Sequence, residues 1–254
     1  MSGAGAGEPV LTRLRDGRER TARELVADLG LRDGARPDVR PTVAAVMIAS
    51  LDGRIAVQGR SVALGHPADR ALLREMRAGA DAILVGTATL AAERYANLLD
   101  PDQRERRLAA GLPAHPIVAT ISRRLELPVE IPLFSEPDVE IVVFTESDAP
   151  APEVGARLAV ERFTPGTLRP ADALRRLGER GVRGVSCEGG AKLLRLLVAA
   201  GVVDHLLLTV APLLVGGEAP GLLDGAPLDP PARLALRDVH RADDHVFLHY
   251  GAGS

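Results

Sequence analysis

The residues best suited to chemistry form one short run, Glu188-Gly189-Gly190-Ala191-Lys192. The apolar residues before this run predict a buried strand, and those after it predict a helix. Two glycines between a strand and a helix leave a turn without side chains, and its free N–H groups bind anions. Lys192 falls in the first helical turn, where the helix dipole disfavours a cation by about 0.3–1 kcal/mol. A bound phosphate removes this penalty, and so does exposure of the ammonium group to water.

Two other predicted strands also end in polar residues. The first ends at Ser50-Leu51-Asp52-Gly53, where the Asp-Gly pair is typical of a plain turn. The second leads into Thr87 and Thr89, whose hydroxyls at a helix start either cap the helix or bind an anion. Ligands of an open α/β sheet bind beyond the carboxyl ends of the strands, so we expect these groups to line one edge.

A third predicted strand leads into Ser122-Arg123-Arg124. Adjacent arginines after a serine can hold a phosphate through paired hydrogen bonds. In a chain this rich in arginine, a solvated turn is the commoner origin of such a pair. Lys192 is the only lysine among the 31 basic residues, a bias that codon usage explains.

The hydrophobic pattern predicts alternating strands and helices after residue 41. Strands are predicted over 42–49, 81–85, 116–120, 140–145, 158–163, 182–188, 203–215, 234–239 and 245–250. Helices are predicted over 69–78, from 87, over 170–180 and over 191–200. This order indicates an α/β fold with a mostly parallel mixed sheet and antiparallel C-terminal edge strands. Residues 1–40 are predicted to form an N-terminal extension with one short helix after a Thr21–Glu24 capping box, and 41–254 the main domain.

The composition excludes several classes of function. The 254 residues are 46% hydrophobic and only 2% aromatic, with a net charge of −3, which argues against nucleic-acid and membrane partners. The single cysteine, Cys187, and six histidines without ligand spacing predict no disulfide and no metal site. P-loop, zincin, hydrolase and Gly-x-Gly-x-x-Gly motifs are missing from their expected places. No apolar segment resembles a secretion signal, so the chain is expected to be cytoplasmic.

Taken in order, several segments resemble the reductase domain of RibD-type riboflavin-biosynthesis enzymes. They are Ser50-Leu51-Asp52-Gly53, Arg77, 81–89, Glu188-Gly189-Gly190, 203–206, Ala211-Pro212 and Gly216-Gly217. The likeness covers residues 41 to 250. It implies a dihydrofolate reductase-like fold of three α-β-α layers, NADPH as cofactor and a homodimer. It also implies hydride transfer to C1′ of a ribosylamino-pyrimidine, as in 5-amino-6-(5-phosphoribosylamino)uracil reductase.

The resemblance assigns roles to individual residues. Cofactor-binding positions are Ala49, Ser50, Thr87, Thr89, Glu93, Ser122, Arg123, Gly189, Gly190, Ala191 and Lys192. Substrate-binding positions are Asp52, Ser61, Arg77, Asn97 and Glu188. A carboxylate near the imine nitrogen can stabilise its cationic form or relay a proton, and we assign this catalytic role first to Asp52 and second to Glu188.

The chain departs from the family pattern at two places. The Cys-x-x-Cys signature of the zinc deaminase that precedes the reductase in bifunctional members is absent, which implies reduction without deamination. The family follows a Thr-x-x-x-Asp segment with Asp-Pro-x-Leu-Thr-x-Arg, whose Arg serves the substrate phosphate. This chain reads Glu93-Arg94-Tyr95-Ala96-Asn97-Leu98-Leu99-Asp100-Pro101, so that the Asp becomes Glu93 and neither the Thr nor the Arg is in place. Arg94 and Arg104 are candidate replacements for the missing arginine.

Two alternative functions remain open at this stage. One is reduction of dihydrofolate or another pteridine on the same fold, because a pteridine resembles a pyrimidine. The other is a protein that binds NADPH without catalysis. In every case the expected partner is a small molecule.

Overall fold

The apolar run that begins at Thr42 forms the central strand of the structure, and nearly all of it is buried. The structure is a computed structural model, which describes residues 8–33, 40–96 and 98–253. Its strands are β1 (Val10–Arg13), β2 (Glu19–Thr21), β3 (Thr42–Ser50), β4 (Ala82–Leu84), β5 (Ile117–Ile121), β6 (Glu140–Thr145), β7 (Arg157–Arg162), β8 (Gly184–Cys187), β9 (His205–Ala211), β10 (Leu234–Ala242) and β11 (His245–Ala252). Its helices are α1 (Ala22–Ala27), α2 (Pro67–Gly79), α3 (Thr87–Glu93), α4 (Pro101–Ala109), α5 (Pro170–Glu179) and α6 (Ala191–Ala199).

The strands of the described residues form one mixed sheet in the order β2-β1-β10-β11-β9-β3-β8-β4-β5-β6-β7. The seven strands from β9 to β7 are parallel, whereas β11, β10, β1 and β2 pair in antiparallel fashion. The predicted α/β class is confirmed. The strand predicted over 203–215 is shorter and ends at Ala211, because Pro212 has no N–H to continue the ladder.

Helices cover both faces of the sheet, as the three-layer prediction requires. On one face, α1 and α2 pack against Ala44 and Val46 of β3. On the other face, α5 and α6 pack against Val43 and Ala45 of the same strand. Alternate residues of β3 therefore enter two cores, which explains why the strand is apolar throughout.

The N-terminal residues are built into the sheet. The helix predicted after Thr21 is present, and both hydrogen bonds of its capping box form. In addition, β1 and β2 form a hairpin, and β1 pairs with β10. The predicted antiparallel C-terminal strands β10 and β11 are present on this side of the sheet, and β1 and β2 extend it beyond them, so that β2 is the outermost strand. Residues 1–7, for which the sequence suggests no element, lie outside the described part of the chain.

Helix α4 was not expected from the sequence. Its residues Pro101–Ala109 are mostly charged, so no apolar periodicity marks them. The helix depends instead on a capping box between Asp100 and Gln103, and on Arg107, which is 2% exposed. The Arg107 guanidinium donates to the backbone carbonyls of Ala78, Ala80 and Pro113.

None of the helices in the described part of the chain has the length and apolar character that a membrane-spanning helix needs.

The packing of β1 predicts a large loss of stability for Leu11→Ala. Leu11 is fully buried in the core under α1 and α2, so its truncation leaves a cavity and costs about 2–5 kcal/mol. Val10 on the same strand is 44% exposed, and Val10→Ala should cost less than about 1 kcal/mol. Denaturant unfolding of both variants measures this difference. Equal midpoints would show that the hairpin contributes nothing to the core.

Candidate active site

The carboxyl ends of the parallel strands meet at one edge of the sheet, as the sequence predicts. Strands β3 and β8 are parallel neighbours, and β4 lies on the other side of β8. The polar residues that follow these three strands therefore lie side by side. The backbone links two of the strand ends directly, since the N–H of Gly86 after β4 donates to the carbonyl of Gly189 after β8, over 2.7 Å.

Glu188, the first residue after β8, is the centre of a buried hydrogen-bonded cluster. Its carboxylate accepts two hydrogen bonds of 2.7 Å from Arg77 of α2, one from Nε and one from Nη2. The hydroxyl of Tyr95 donates a third to the same carboxylate. The side chain of Glu188 is only 2% exposed and that of Arg77 is 12% exposed. The guanidinium also lies over the Tyr95 ring, 4.8 Å from its centroid, at cation–π distance.

The charges of this cluster are fixed by their mutual contacts. Burial lowers the pKa of Arg77, but the charge and hydrogen bonds of Glu188 outweigh burial, and the net pKa is raised. Burial and the Glu188 carboxylate together hold the pKa of Tyr95 well above its usual range. Tyr95 is therefore a neutral hydrogen-bond donor at any physiological pH. Burial also raises the pKa of the Cys187 thiol to about 12, so Cys187 is not a thiolate.

Asp52 lies after β3 and is held by a separate set of donors. Its carboxylate accepts hydrogen bonds from the Ser50 hydroxyl at 2.5 Å and from the N–H groups of Val215 at 3.0 Å and Gly216 at 2.7 Å. These bonds, with the Ser50 hydroxyl first, lower the pKa of Asp52 far below its ordinary value. Asp52 can therefore hold negative charge near a substrate, but it does not carry a proton to donate at neutral pH.

The glycine turn leaves the N-termini of two helices open. Neither α3 nor α6 has a side-chain cap on its first N–H groups, since their N-cap residues are Gly86 and Gly190. The peptide bond between Gly189 and Gly190 is cis. A Cβ on Gly189 would lie 2.8 Å from the sulfur of Met47, and φ is +74° there. A Cβ on Gly190 would lie 2.8 Å from the Thr89 hydroxyl, so only glycine fits at both positions without a shift.

Glu93 and Ser61 are in direct contact. One oxygen of the Glu93 carboxylate accepts from both the N–H and the hydroxyl of Ser61, each at 2.9 Å. This contact ties the end of α3 to the segment between β3 and α2. The sequence had placed Glu93 at the cofactor and Ser61 at the substrate. Asn97, the other expected substrate residue on this side, lies outside the described residues.

Ser122 and Arg123 follow β5 further along the edge. The Ser122 hydroxyl donates to the carbonyl of Glu126 at 2.9 Å, which closes the turn. Arg123 donates to the Leu168 carbonyl at 3.2 Å and lies 3.5 Å from the Glu146 carboxylate. Its side chain is still 47% exposed, so the guanidinium has free donors that face solvent.

The other residues that the sequence assigns to the cofactor differ in burial and in their position on the strands and helices. Ala49 is buried within β3, and Ala191 is the first residue of α6. Thr87 is the first residue of α3, beside the glycine turn. The Lys192 side chain is 82% exposed, and its ammonium lies 3.9 Å from Asp224. Water and Asp224 therefore offset the unfavourable effect of the helix dipole on the Lys192 charge, and the position of this lysine needs no bound phosphate.

No group of three or more potential metal ligands occurs among the described residues.

Sequence reasoning assigned no role to Tyr95. Two signals point to it in retrospect. The chain has only two tyrosines, and a buried tyrosine hydroxyl normally has a hydrogen-bond partner. Tyr95 also stands within the segment that departs from the family pattern. The partner of this hydroxyl, Glu188, is 93 positions away in the sequence, and no local pattern indicates a contact between the two residues.

Comparisons with known proteins agree on one family. The model of the RibD C-terminal domain matches residues 41–248. The 2,5-diamino-6-ribosylamino-4(3H)-pyrimidinone 5′-phosphate reductase of Methanothermobacter thermautotrophicus is 27% identical over 219 residues, 84% of this chain and 98% of that protein. The riboflavin biosynthesis protein RibD of Mycobacterium tuberculosis is 32% identical over 178 residues, 69% of this chain and 43% of that protein. The crystal structure of a pyrimidine reductase-like protein from Corynebacterium diphtheriae superimposes with a TM-score of 0.75, at 26% identity, over 92% of this chain and 100% of that one.

The hydrogen bonds of Asp52 predict a pH-dependent contribution to stability. Because its folded-state pKa is depressed, Asp52 stabilises the fold fully above the unfolded-state value of about 3.9, and this contribution is lost as the pH falls below it. Asp52→Asn should therefore lower the melting temperature at pH 7, and the difference from wild type should shrink by pH 3. Asp148→Asn, at an exposed aspartate, is the control. A difference that stays constant between pH 7 and pH 3 would contradict this account.

Proposed function

The chain belongs to the RibD C-terminal domain family, and we propose that it is an NADPH-dependent reductase of a ribosylamino-pyrimidine. Members of this family are oxidoreductases, and their chemistry implies a nicotinamide cofactor. The proposed reaction transfers a hydride to C1′ of the ring-opened imine of the substrate and yields a ribitylamino-pyrimidine.

One observation carries the proposal. Glu188, which anchors the Arg77 and Tyr95 cluster, is followed directly by Gly189 and Gly190, which open the N-terminus of α6. A group suited to a polar heterocycle and a turn suited to a pyrophosphate are thus separated by a single peptide bond. A reductase must bring the substrate ring against the nicotinamide, and a cofactor whose pyrophosphate is held at this turn has its nicotinamide within one ribose of that anchor.

The residues at the edge of the sheet fit a dinucleotide. The open N-termini of α3 and α6 supply N–H donors for phosphate oxygens, and the absence of side chains at Gly189 and Gly190 lets a ligand approach the backbone. Thr87 and Thr89 add hydroxyls at the same place. When bound, NADPH would supply the hydride, while the protein supplies position and electrostatics.

Arg77 and Glu188 are the proposed partners of the substrate ring. Both are held by paired hydrogen bonds, so their donors and acceptors have fixed directions before a ligand binds. Such preorganised groups do not need to reorient on binding, which lowers the cost of recognition.

Asp52 is the proposed stabiliser of the cationic imine. An iminium carbon accepts the hydride pair, and the electron pair of the C=N bond returns to nitrogen, so no further proton is required for the product amine. A carboxylate that is held ionised by Ser50, Val215 and Gly216 favours this cation over the neutral imine. The geometry therefore favours Asp52 as an electrostatic group and not as a proton donor.

The phosphate of the substrate would need an arginine at this site. Asp100 lies where the family pattern places that arginine, and its carboxylate is 2.6 Å from Arg74. Arg94 follows α3 directly, is exposed and makes no ion pair with a described residue. We therefore propose Arg94, before Arg104, as the phosphate ligand.

Oxidation of NADPH tests the proposed reaction. The purified protein should oxidise NADPH when a ribosylamino-pyrimidine 5′-phosphate is added, with little oxidation when dihydrofolate is added instead. Absorbance at the nicotinamide band measures both rates. Turnover of dihydrofolate alone would make the protein a pteridine reductase. Binding of NADPH without oxidation by either substrate would make it a non-catalytic binding protein.

Cofactor selection gives a separate prediction at Arg123. The free donors of Arg123 would contact the adenosine 2′-phosphate, which NADH lacks, so Arg123→Ala should weaken NADPH binding about tenfold. NADH binding should change by less than about twofold. The control is Arg124→Ala, because the neighbouring arginine is 80% exposed and pairs with Glu126. Calorimetric titration of the wild type and both variants with each cofactor gives the six dissociation constants. An equal loss for both cofactors would mean that Arg123 does not contact the 2′-phosphate.

A further inference from the structure

A cavity of about 330 Å³ lies at the opposite edge of the sheet from the glycine turn. It is formed between α1 with the segment that follows it, the end of α2, and α4. Leu31 in its lining lies against Gly184, the first residue of β8, and Arg32 pairs with Asp81, which precedes β4. The cavity is therefore at the amino ends of the parallel strands. Its charged lining residues are Arg23, Arg32, Asp33, Glu75, Arg106 and Arg107.

Arg107 lines this cavity with two donors to spare. A guanidinium carries five N–H groups. Nε of Arg107 donates to the carbonyl of Pro113, and the two N–H groups of Nη1 donate to the carbonyls of Ala78 and Ala80. The two N–H groups of Nη2 make no hydrogen bond with a described residue, and Nη2 is not enclosed by the packing. A side chain that is otherwise buried thus keeps one nitrogen open to a ligand.

The charge of Arg107 is not neutralised by an ion pair with any described residue, because its three acceptors are backbone carbonyls. The neighbouring carboxylates are already engaged, since Asp81 is 2.9 Å from Arg32 and Glu75 is 2.6 Å from Arg106. Burial lowers the pKa of Arg107 to about 10, Asp81 acts in the opposite direction, and the Arg32 charge adds to the lowering. Arg107 therefore stays charged at neutral pH. A buried cation without a counter-ion is unfavourable, and an anion in the cavity would relieve this.

The walls beside the arginines are apolar. Val26, Leu31 and Leu112 line the cavity together with Ala78. A cavity of about 150 Å³ is large enough for benzene, so this one has room for a ring in addition to an acidic group.

We propose that this cavity binds a small organic acid, an apolar ring or chain that carries one carboxylate. The carboxylate accepts from Nη2 of Arg107 and from the terminal nitrogens of Arg32, which make no hydrogen bond with a described residue. A singly charged group is favoured over a phosphate, because Asp33 and Glu75 belong to the same lining and repel a second negative charge. This site is separate from the candidate active site, and it does not depend on the proposed function.

Titration with benzoate and with benzamide tests the proposal. The two probes have nearly the same shape, but only benzoate is charged. In the ¹⁵N-labelled protein, benzoate should shift the backbone amide signals of Gly30, Arg32 and Ala110, which line the cavity. Benzamide should bind at least about tenfold more weakly, because hydrogen bonds between charged groups are stronger than those to a neutral amide.

Arg32→Gln removes one cationic partner of the carboxylate and should weaken benzoate binding at least about fivefold. The matched control is Arg176→Gln, which removes an arginine of α5 that pairs with Glu179 and should change the affinity by less than about twofold. Arg107→Lys keeps the charge but lacks the N–H groups of Nη2, and it should also weaken binding; if this variant fails to fold, Arg32→Gln decides. The proposal is overturned if benzamide binds as tightly as benzoate, if the three cavity signals do not shift, or if Arg32→Gln binds benzoate as the wild type does.

Discussion

The carboxylate of Glu188 lies at the end of a buried strand with almost no contact to water. An isolated carboxylate in such a place would lose several kcal/mol of hydration free energy. It therefore requires partners that carry the opposite charge and donate hydrogen bonds to it. Arg77 and Tyr95 meet this requirement from two other elements, α2 and the segment after α3. The ion pair therefore couples α2 to the end of β8, and the hydrogen bond from Tyr95 adds the segment after α3. The glycine turn follows Glu188 directly in the chain, so the packing of the fold and the geometry of the candidate site share one constraint.

The other carboxylates at this edge of the sheet follow the same rule. Asp52 is held by a hydroxyl and two backbone N–H groups, and Glu93 by the backbone and hydroxyl of Ser61. Each is bound by donors whose positions the backbone fixes. A ligand with a developing positive charge would meet negative charge that is already oriented. Preorganisation of this kind avoids rearrangement during a reaction, which is the usual source of electrostatic catalysis.

Local patterns were enough to predict most of the fold. The strands and helices predicted after residue 41 are present, because apolar periodicity is a local property of the chain. Two features escaped this reasoning. The β1 strand is short, and it is stabilised by β10, more than 200 residues away. Helix α4 has little apolar periodicity, and it depends on Arg107 donating to carbonyls at the C-terminal end of α2. Neither contact can be predicted from the residues that surround it in the sequence.

Some features of the candidate site can likewise be predicted from the sequence, and others cannot. The sequence by itself determined the glycine turn between β8 and α6, the polar residues at the strand ends and their common edge, because turn chemistry and strand direction are local. Only the tertiary structure decided which groups are partners. It placed Tyr95 on Glu188, joined Glu93 to Ser61, turned Asp52 toward the loop at 215–216 and left Lys192 in water. The physical reason is that a buried polar group must form hydrogen bonds, and its partner is whichever donor the packing brings near. That donor is set by the arrangement of helices on the sheet and not by spacing along the chain.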